Sequence, residues 1–186
     1  MDRREVIKRL SALVGGAVVL PAAMRADSPD WSFSDQLDFS KLKVFTKKQR
    51  KLLAELAETI CPRTATPGAT DAKVGPFIEL ILQDCREQKD RDAFIAGLNA
   101  VEAECKTTYK MGFVKLPAEK RTELLTKMEA DASTESKARK MSKATDQPPI
   151  FWNSLKSMTI WGFFTSEAGQ TQALNYVMTP DRKSVV

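Results

Sequence analysis

The feature that most constrains the fold of this chain is a helical segment that is apolar on nearly every side. It lies within residues 148–176, PPIFWNSLKSMTIWGFFTSEAGQTQALNY. One face repeats at helical spacing and consists of Phe151, Leu155, Met158, Thr159 and Gly162. Further large apolar residues lie off that face: Trp152, Ile160, Trp161, Phe163 and Phe164. Such a helix must be buried on several sides, by its own domain or by a partner.

The residues that follow this helix have the opposite character. Residues 165–176 are rich in Ser, Thr, Glu, Gln and Asn around Gly169. We interpret them as a hydrogen-bonded loop at a surface. The alternative is that they form the capped, irregular end of a C-terminal helix.

Four earlier segments also show helical periodicity. The first has Thr46 as its N-cap and ends before Pro62, and Pro76 is expected to open the second. The third covers about residues 90–109, and the fourth begins after Leu116 and Pro117. The residues expected on the inward faces are, in chain order, Leu52, Leu53, Leu56, Ala57 and Ile60; Phe77, Leu80, Ile81 and Asp84 or Cys85; Phe94, Leu98, Val101 and Cys105; and Leu124, Leu125 and Met128.

No alternating apolar run indicates strands, so we predict an all-α protein, a small irregular bundle of about five helices. Residues 131–147 are polar and lack apolar periodicity, and we expect them to form a connection without regular structure. We divide the chain into a signal or anchor at residues 1–26, a linker or extended arm at residues 27–45, and a single helical domain at residues 46–186.

The composition argues against several classes of site. The chain contains no histidine, which excludes Ser-His-Asp and Cys-His catalytic sites, an HExxH zinc site and a CxxCH haem attachment here. Cys61, Cys85 and Cys105 form no CxxC pair, so no zinc or iron–sulfur centre is expected. We interpret all three as small buried apolar residues, with pairing of two of them as the alternative. We assign no catalytic residue and no metal ligand.

The net charge of +5 depends largely on the first 26 residues, which hold five of the 29 basic and two of the 24 acidic residues. The remainder therefore carries 24 basic against 22 acidic residues. This near balance is poor evidence for nucleic-acid binding, and we expect none.

The N-terminus has the pattern of a twin-arginine export signal. Arg3 and Arg4 are followed by one residue, two apolar residues and Lys8, and an apolar run at residues 10–19 has the length of an h-region. Signals of this class direct the export of proteins that are already folded, so we predict a periplasmic location. The alternative is an uncleaved leader that anchors the chain to the inner membrane, although a spanning helix needs roughly 20 apolar residues.

Several segments together resemble one protein family. They are LAELAETICP at residues 53–62, TPGA at 66–69, VGPFI at 74–78, LPAEK at 116–120 and GFFTSEAGQTQALNY at 162–176. With the leader, they resemble the gluconate 2-dehydrogenase subunit 3 family. Residues 177–186 depart from the family pattern because they contain neither glycine nor cysteine.

The resemblance implies the small, or gamma, subunit of a periplasmic FAD-dependent sugar dehydrogenase. The large subunit of such complexes resembles glucose–methanol–choline type oxidoreductases and carries FAD, and electrons pass to a c-type cytochrome. The small subunit is implied to carry no cofactor and to assist the folding, stabilisation and export of the large one. We therefore expect three partners: the flavoprotein, a c-type cytochrome and the twin-arginine translocase. FAD and haem c would be bound in the partner subunits.

We predict that the partner interface lies where the apolar helix meets the polar segment. Its residues are Trp161, Phe164, Glu167, Gly169, Gln170, Thr171, Gln172, Asn175 and Tyr176. Aromatic anchors beside amide side chains suit a permanent interface, Gly169 would allow close approach, and apolar residues between 31 and 39 would add to the contact.

Two other function classes remain open. The chain could be a stand-alone periplasmic binding or structural protein, or an enzyme that uses Glu55, Glu58 and Glu167 for acid–base chemistry. Glu55 and Glu58 are three residues apart on a predicted helix, which is more typical of a solvated surface.

Overall fold

The computed structural model describes residues 42–142 and 147–174. The predicted leader, the arm as far as residue 41, and the interface residues Asn175 and Tyr176 lie outside the described residues. The described residues belong to the unit Phe39–Val186 and contain no strand, so the prediction of an all-α fold is confirmed. The helices are α1 (Lys47–Ile60), α2 (Val74–Asp84), α3 (Gln88–Tyr109), α4 (Ala118–Ser142) and α5 (Phe151–Thr165). A 3-10 turn at Phe113–Lys115 precedes α4, and a π-helical turn at Gly169–Ala173 follows α5.

The start of α1 is a capping box, as the predicted N-cap required. The Thr46 hydroxyl oxygen accepts from the Gln49 backbone N–H at 3.3 Å, and the Gln49 side-chain oxygen accepts from the Thr46 backbone N–H at 2.9 Å. Both bonds satisfy N–H groups that have no partner within the helix. Local sequence therefore decides where this helix begins.

Helix α2 differs from its prediction in its start and in its buried face. It begins at Val74 because Lys73 adopts a left-handed conformation with φ 53°, and Pro76 then lies in the first turn, where a missing N–H costs nothing. The buried residues are Val74, Ile78, Glu79 and Leu82. The predicted residues Phe77, Leu80 and Ile81 are only half-buried, and Phe77 and Ile81 pack against the core.

Glu79 can lie inside because it is fully partnered. Its carboxylate is 2% exposed and accepts from the backbone N–H groups of Val44 at 3.1 Å and Phe45 at 3.0 Å. Arg50 on α1 approaches it with Nε at 2.8 Å and Nη2 at 2.9 Å. Arg50 also donates to the carbonyl oxygen of Leu42. This set of contacts, which we name the Glu79 anchor, ties residues 42–45 to α1 and α2.

Helix α4 is longer than predicted, because it continues to Ser142 through residues that we expected to form an irregular connection. Its second half is attached to α5 and the segment before it. Glu129 accepts from Trp152 Nε1 at 2.6 Å and from Lys156 Nζ at 2.7 Å. Further along, Arg139 Nη1 donates to the carbonyl oxygen of Pro148 at 2.6 Å. These polar contacts hold the second half of α4 against its neighbours, although its sequence has no apolar periodicity.

Helix α5 lies at the centre and contacts each of the other four helices. Phe94 on α3 meets Phe151 edge to face, with ring centroids 4.9 Å apart. Gly162 allows α5 to approach α2, because a Cβ at that position would lie 2.6 Å from Cδ1 of Phe77. The expectation that this helix is buried on several sides is confirmed. Its buried residues are Trp152, Leu155, Met158, Thr159, Gly162 and Phe163.

Candidate functional site

The C-terminal half of α5 leaves three large apolar side chains in contact with water. Ile160 is 39% exposed, Trp161 50% and Phe164 40%. They lie on one side of the helix, because residues three and four positions apart are neighbours on a helix surface. We name these three residues the aromatic face.

The aromatic face rests on packed rings. Trp161 meets Phe77 of α2 edge to face, with centroids 5.1 Å apart and an interplanar angle of 85°. Phe164 meets Phe163, which is 6% exposed, with centroids 5.1 Å apart. The two exposed rings are therefore held in place on one side and open to solvent on the other. Phe77 was not predicted as part of the site.

A single serine connects this face to the polar segment. The Ser166 hydroxyl donates to the carbonyl oxygen of Phe163 at 2.6 Å and accepts from the backbone N–H of Gly169 at 3.0 Å. It therefore ends α5 and caps the helical turn that follows. Residues 165–174 thus form an irregular helical end, the alternative to the loop interpretation.

The structure gives different roles to the predicted interface residues in this segment. A Cβ at Gly169 would lie 2.0 Å from the carbonyl oxygen of Phe163, so the close approach at this glycine takes place within the chain. The Thr171 hydroxyl donates to the Glu167 carbonyl oxygen at 2.7 Å. Glu167 and Gln172 are exposed and Gln170 is half-exposed. No other described residue forms a hydrogen bond with these three side chains.

Two of the three carboxylates considered for acid–base chemistry, Glu55 and Glu58, have structural partners. Glu55 Oε2 is 2.6 Å from Arg121 Nη1 on α4. Glu58 accepts from the backbone N–H groups of Thr70 at 2.8 Å and Arg63 at 2.9 Å, which closes the loop between α1 and α2. Burial would raise the Glu58 pKa, but these hydrogen bonds outweigh it and lower the pKa below its usual value.

The three cysteines are free thiols in different surroundings. Cys105 is fully buried, and burial together with Glu102 and Glu104 raises its pKa to about 11, so the thiol stays protonated at neutral pH. Burial also raises the pKa of Cys61, which is half-buried. Cys85 is exposed, so the prediction of three buried cysteines is wrong for that residue.

A metal centre and a membrane-spanning helix are two further classes of site to consider in residues 42–142 and 147–174. No three side chains of His, Cys, Asp or Glu come together there in a group that could hold a metal ion. Neither does any helix there combine the length and the apolar character needed to cross a membrane.

The chain is similar to one known protein family. The model of one family, described as gluconate 2-dehydrogenase subunit 3, matches residues 47–180, which is more than half of the 186 residues. The match includes all five helices and the predicted interface. No curated protein and no solved structure matches.

Proposed function

Because this chain belongs to the gluconate 2-dehydrogenase subunit 3 family, we propose that it is the non-catalytic small subunit of a periplasmic FAD-dependent sugar dehydrogenase. The family description identifies its members as subunits of a gluconate 2-dehydrogenase complex, so the chain associates with other subunits. The finer proposal is that it helps to fold, stabilise and export the large flavoprotein subunit. FAD and haem c belong to the partner subunits in this proposal.

The observation that carries the proposal is the aromatic face. Single exposed apolar residues are ordinary, but a group of three large ones on one helix side is typical of a binding surface. Trp161 and Phe164 are already fixed by Phe77 and Phe163, so they lose little conformational freedom when a partner covers them. Truncation of an aromatic anchor at the centre of an interface typically costs about 2 kcal/mol or more of binding free energy.

The polar segment complements this apolar surface. Subunit interfaces pair an apolar centre with a polar rim that supplies hydrogen bonds. Gln170, Gln172 and Glu167 follow the aromatic face directly along the chain and have side-chain groups unused by the described residues. In the proposal they bind backbone groups of the flavoprotein around the aromatic contact.

Two of the three candidate carboxylates, Glu55 and Glu58, support the assignment of the chemistry to the partner. A general acid or base must reach the substrate with a free carboxyl group. Glu55 is paired with Arg121, and Glu58 is occupied by two backbone N–H groups. Both therefore have structural functions.

The leader supports the export role. Arg3, Arg4 and Lys8 match the pattern of a signal for cargo that is already folded, whereas no cofactor is expected in the chain itself. A flavoprotein that lacks its own signal could bind FAD in the cytoplasm, dock on this chain and cross the membrane with it. The twin-arginine translocase is then the second partner.

The docking surface is tested by co-expression of the chain with the flavoprotein and purification through a tag on the chain. We expect Trp161→Ala/Phe164→Ala to remove nearly all co-purifying FAD, measured by its absorbance relative to the chain, because two anchors are lost. The control is Met141→Ala, which removes an 87% exposed side chain from α4 and should leave the FAD ratio unchanged. A wild-type FAD ratio in the double variant would contradict docking at the aromatic face.

The export role is tested separately with the leader. We expect Arg3→Lys/Arg4→Lys to retain both the chain and the flavoprotein in the cytoplasm, as measured by dehydrogenase activity in periplasmic and cytoplasmic fractions. Arg9→Lys/Arg25→Lys makes the same change outside the motif and should preserve export. Normal periplasmic flavoprotein activity in the first variant would rule out the escort role.

A further inference from the structure

A half-open groove of about 700 Å³ lies between α1, the C-terminal end of α3 and the 3-10 turn. Its lining includes Leu52 and Val114 as apolar surface and Met111 at the edge. All of its charged residues but one are lysines, and every one of these lysines is exposed. The lysines are Lys48, Lys51, Lys106, Lys110 and Lys115. We name this region the lysine groove.

The one acidic residue of the groove does not balance these charges. Glu102 accepts from the backbone N–H of Phe113 at 3.2 Å and lies 3.3 Å from the Lys106 ammonium group. Within the described residues, Lys48, Lys51, Lys110 and Lys115 have no carboxylate partner. The groove therefore carries a positive potential, although the chain after residue 26 is nearly balanced.

Two local features of the groove are energetically unfavourable in the chain by itself. Lys48 lies in the first turn of α1, which has no acidic residue, so a cation sits at the positive end of the helix dipole. Lys110 ends α3 in a left-handed conformation with φ 58°, where glycine is the usual residue. A negatively charged ligand would offset the first cost.

We propose that the lysine groove binds an acidic polypeptide segment of a partner protein. A single small carboxylate would neutralise only one of the five lysines, whereas a run of Asp and Glu neutralises several. A flat membrane surface would not reach the apolar floor of a groove, but side chains of a polypeptide would. Asn99 at its edge accepts from Gln49 Nε2 at 3.0 Å, and its own amide nitrogen faces no described acceptor. That nitrogen can donate to a main-chain carbonyl.

This surface goes beyond the proposed function, because α1, α3 and the 3-10 turn carry it and the aromatic face of α5 does not. If the lysine groove bound no acidic peptide, the proposal of docking at the aromatic face would be unaffected. Equally, if the flavoprotein did not bind at Trp161 and Phe164, the proposal for the lysine groove would be unaffected.

The test measures fluorescence anisotropy of a labelled peptide of Asp, Glu and Leu added to the full chain, with an Asn, Gln and Leu peptide as the neutral probe. We expect the acidic peptide alone to bind, and its affinity to fall at least about tenfold as salt rises from about 0.05 M to about 0.5 M, because exposed charges are screened. Lys48→Gln/Lys51→Gln/Lys115→Gln should lower the affinity at low salt by at least about tenfold.

The matched control is Lys43→Gln/Lys137→Gln/Lys140→Gln, which removes the same charge from exposed positions outside the groove and should bind like the wild type. Helicity and thermal unfolding confirm that both triple variants are folded. Three outcomes would overturn the proposal: equal loss in both triple variants, displacement of the peptide by gluconate at matched ionic strength, or tighter binding of phosphatidylglycerol vesicles with the same groove dependence. These outcomes indicate unspecific charge attraction, a sugar-acid site and a lipid site, respectively.

Discussion

The Glu79 anchor and the aromatic face differ in where their side chains find contacts: the anchor within the chain, and the face only partly so. At the anchor, a charged residue that is 2% exposed finds partners in Val44, Phe45 and Arg50. At the aromatic face, Trp161 remains 50% exposed although its inner edge packs on Phe77. Burial of a polar group is costly unless other groups of the folded chain form hydrogen bonds with it. A group of exposed apolar side chains, by contrast, is available for contact with another protein. The anchor should therefore control stability, and the face should control association.

The sharpest test of this contrast uses two adjacent phenylalanines of α5, of which Phe163 is buried and Phe164 is exposed. We expect Phe163→Ala to lower the free energy of unfolding by about 3–5 kcal/mol, because it leaves a cavity in the core. Phe164→Ala should lower it by less than about 1 kcal/mol and instead weaken flavoprotein binding at least tenfold. Urea unfolding and co-purification measure the two effects. Equal losses of stability would show that the exposed ring belongs to the core.

The anchor is tested by Glu79→Ala. We expect a loss of about 2–3 kcal/mol in the free energy of unfolding, because two backbone N–H groups and Arg50 lose their acceptor, while half-exposed Arg50 recovers some hydration. Flavoprotein binding well below the melting temperature should be unchanged. The control, Glu123→Ala, breaks the exposed pair with Lys120 and should have no measurable effect. If a stably folded Glu79→Ala variant bound the flavoprotein more weakly, the anchor would also control association, which contradicts the proposed difference between the two regions.

Two glycines sharpen the comparison where α2 meets α5. We expect Gly162→Ala to cost about 1–2 kcal/mol of unfolding free energy, because its Cβ would press on Phe77 and displace the ring beneath Trp161. Gly75→Ala meets no atom within 4 Å and should raise stability by up to about 1 kcal/mol. Thermal unfolding measures both. A neutral Gly162→Ala would indicate that the two helices can separate without cost.

The smallest expected effect is the pH dependence of the loop between α1 and α2. Burial raises the pKa of Glu58, but hydrogen bonds from Thr70 and Arg63 outweigh it and lower the pKa. The Arg63 guanidinium and the Gly68 backbone N–H lower the pKa of Asp71. Because the folded pKa lies below the unfolded one, this stabilisation is present above the unfolded pKa and is lost as pH falls through the folded value. Stability should therefore decline less steeply between about pH 5 and about pH 3 in Glu58→Gln. Glu119→Gln controls for net charge; identical slopes in wild type and Glu58→Gln would remove Glu58 from this account.

Features that depend on neighbouring residues were predictable. The capping box of Thr46 and Gln49 starts α1 as expected, and α3 buries Phe94, Leu98, Val101 and Cys105 as its spacing required. Both follow from the geometry of a single helix, which sequence spacing records directly. The sequence also indicated an aromatic surface on α5, because this helix has more apolar residues than a single buried face can hold.

Features that depend on distant residues were not predictable. Glu79 interrupts an apolar helix, and nothing near it in the sequence shows that Arg50 and the backbone of residues 44–45 will partner its charge. Helix α4 continues past residue 131 because Trp152, Lys156 and Pro148 lie beside it in the folded chain. The lysine groove likewise combines residues from α1 and α3 whose proximity no local pattern reveals.

The sequence by itself determined that this chain is helical, which family it belongs to and that one helix carries more apolar surface than a single face can bury. Periodicity, capping and motif identity depend on residues that are close together in the sequence, so the sequence records them directly. Only the tertiary structure decided which aromatic residues of α5 face water, which acidic residue of α2 lies inside, and which lysines share a groove. Those outcomes depend on what each residue meets across the fold, and desolvation and charge pairing between distant segments decide them.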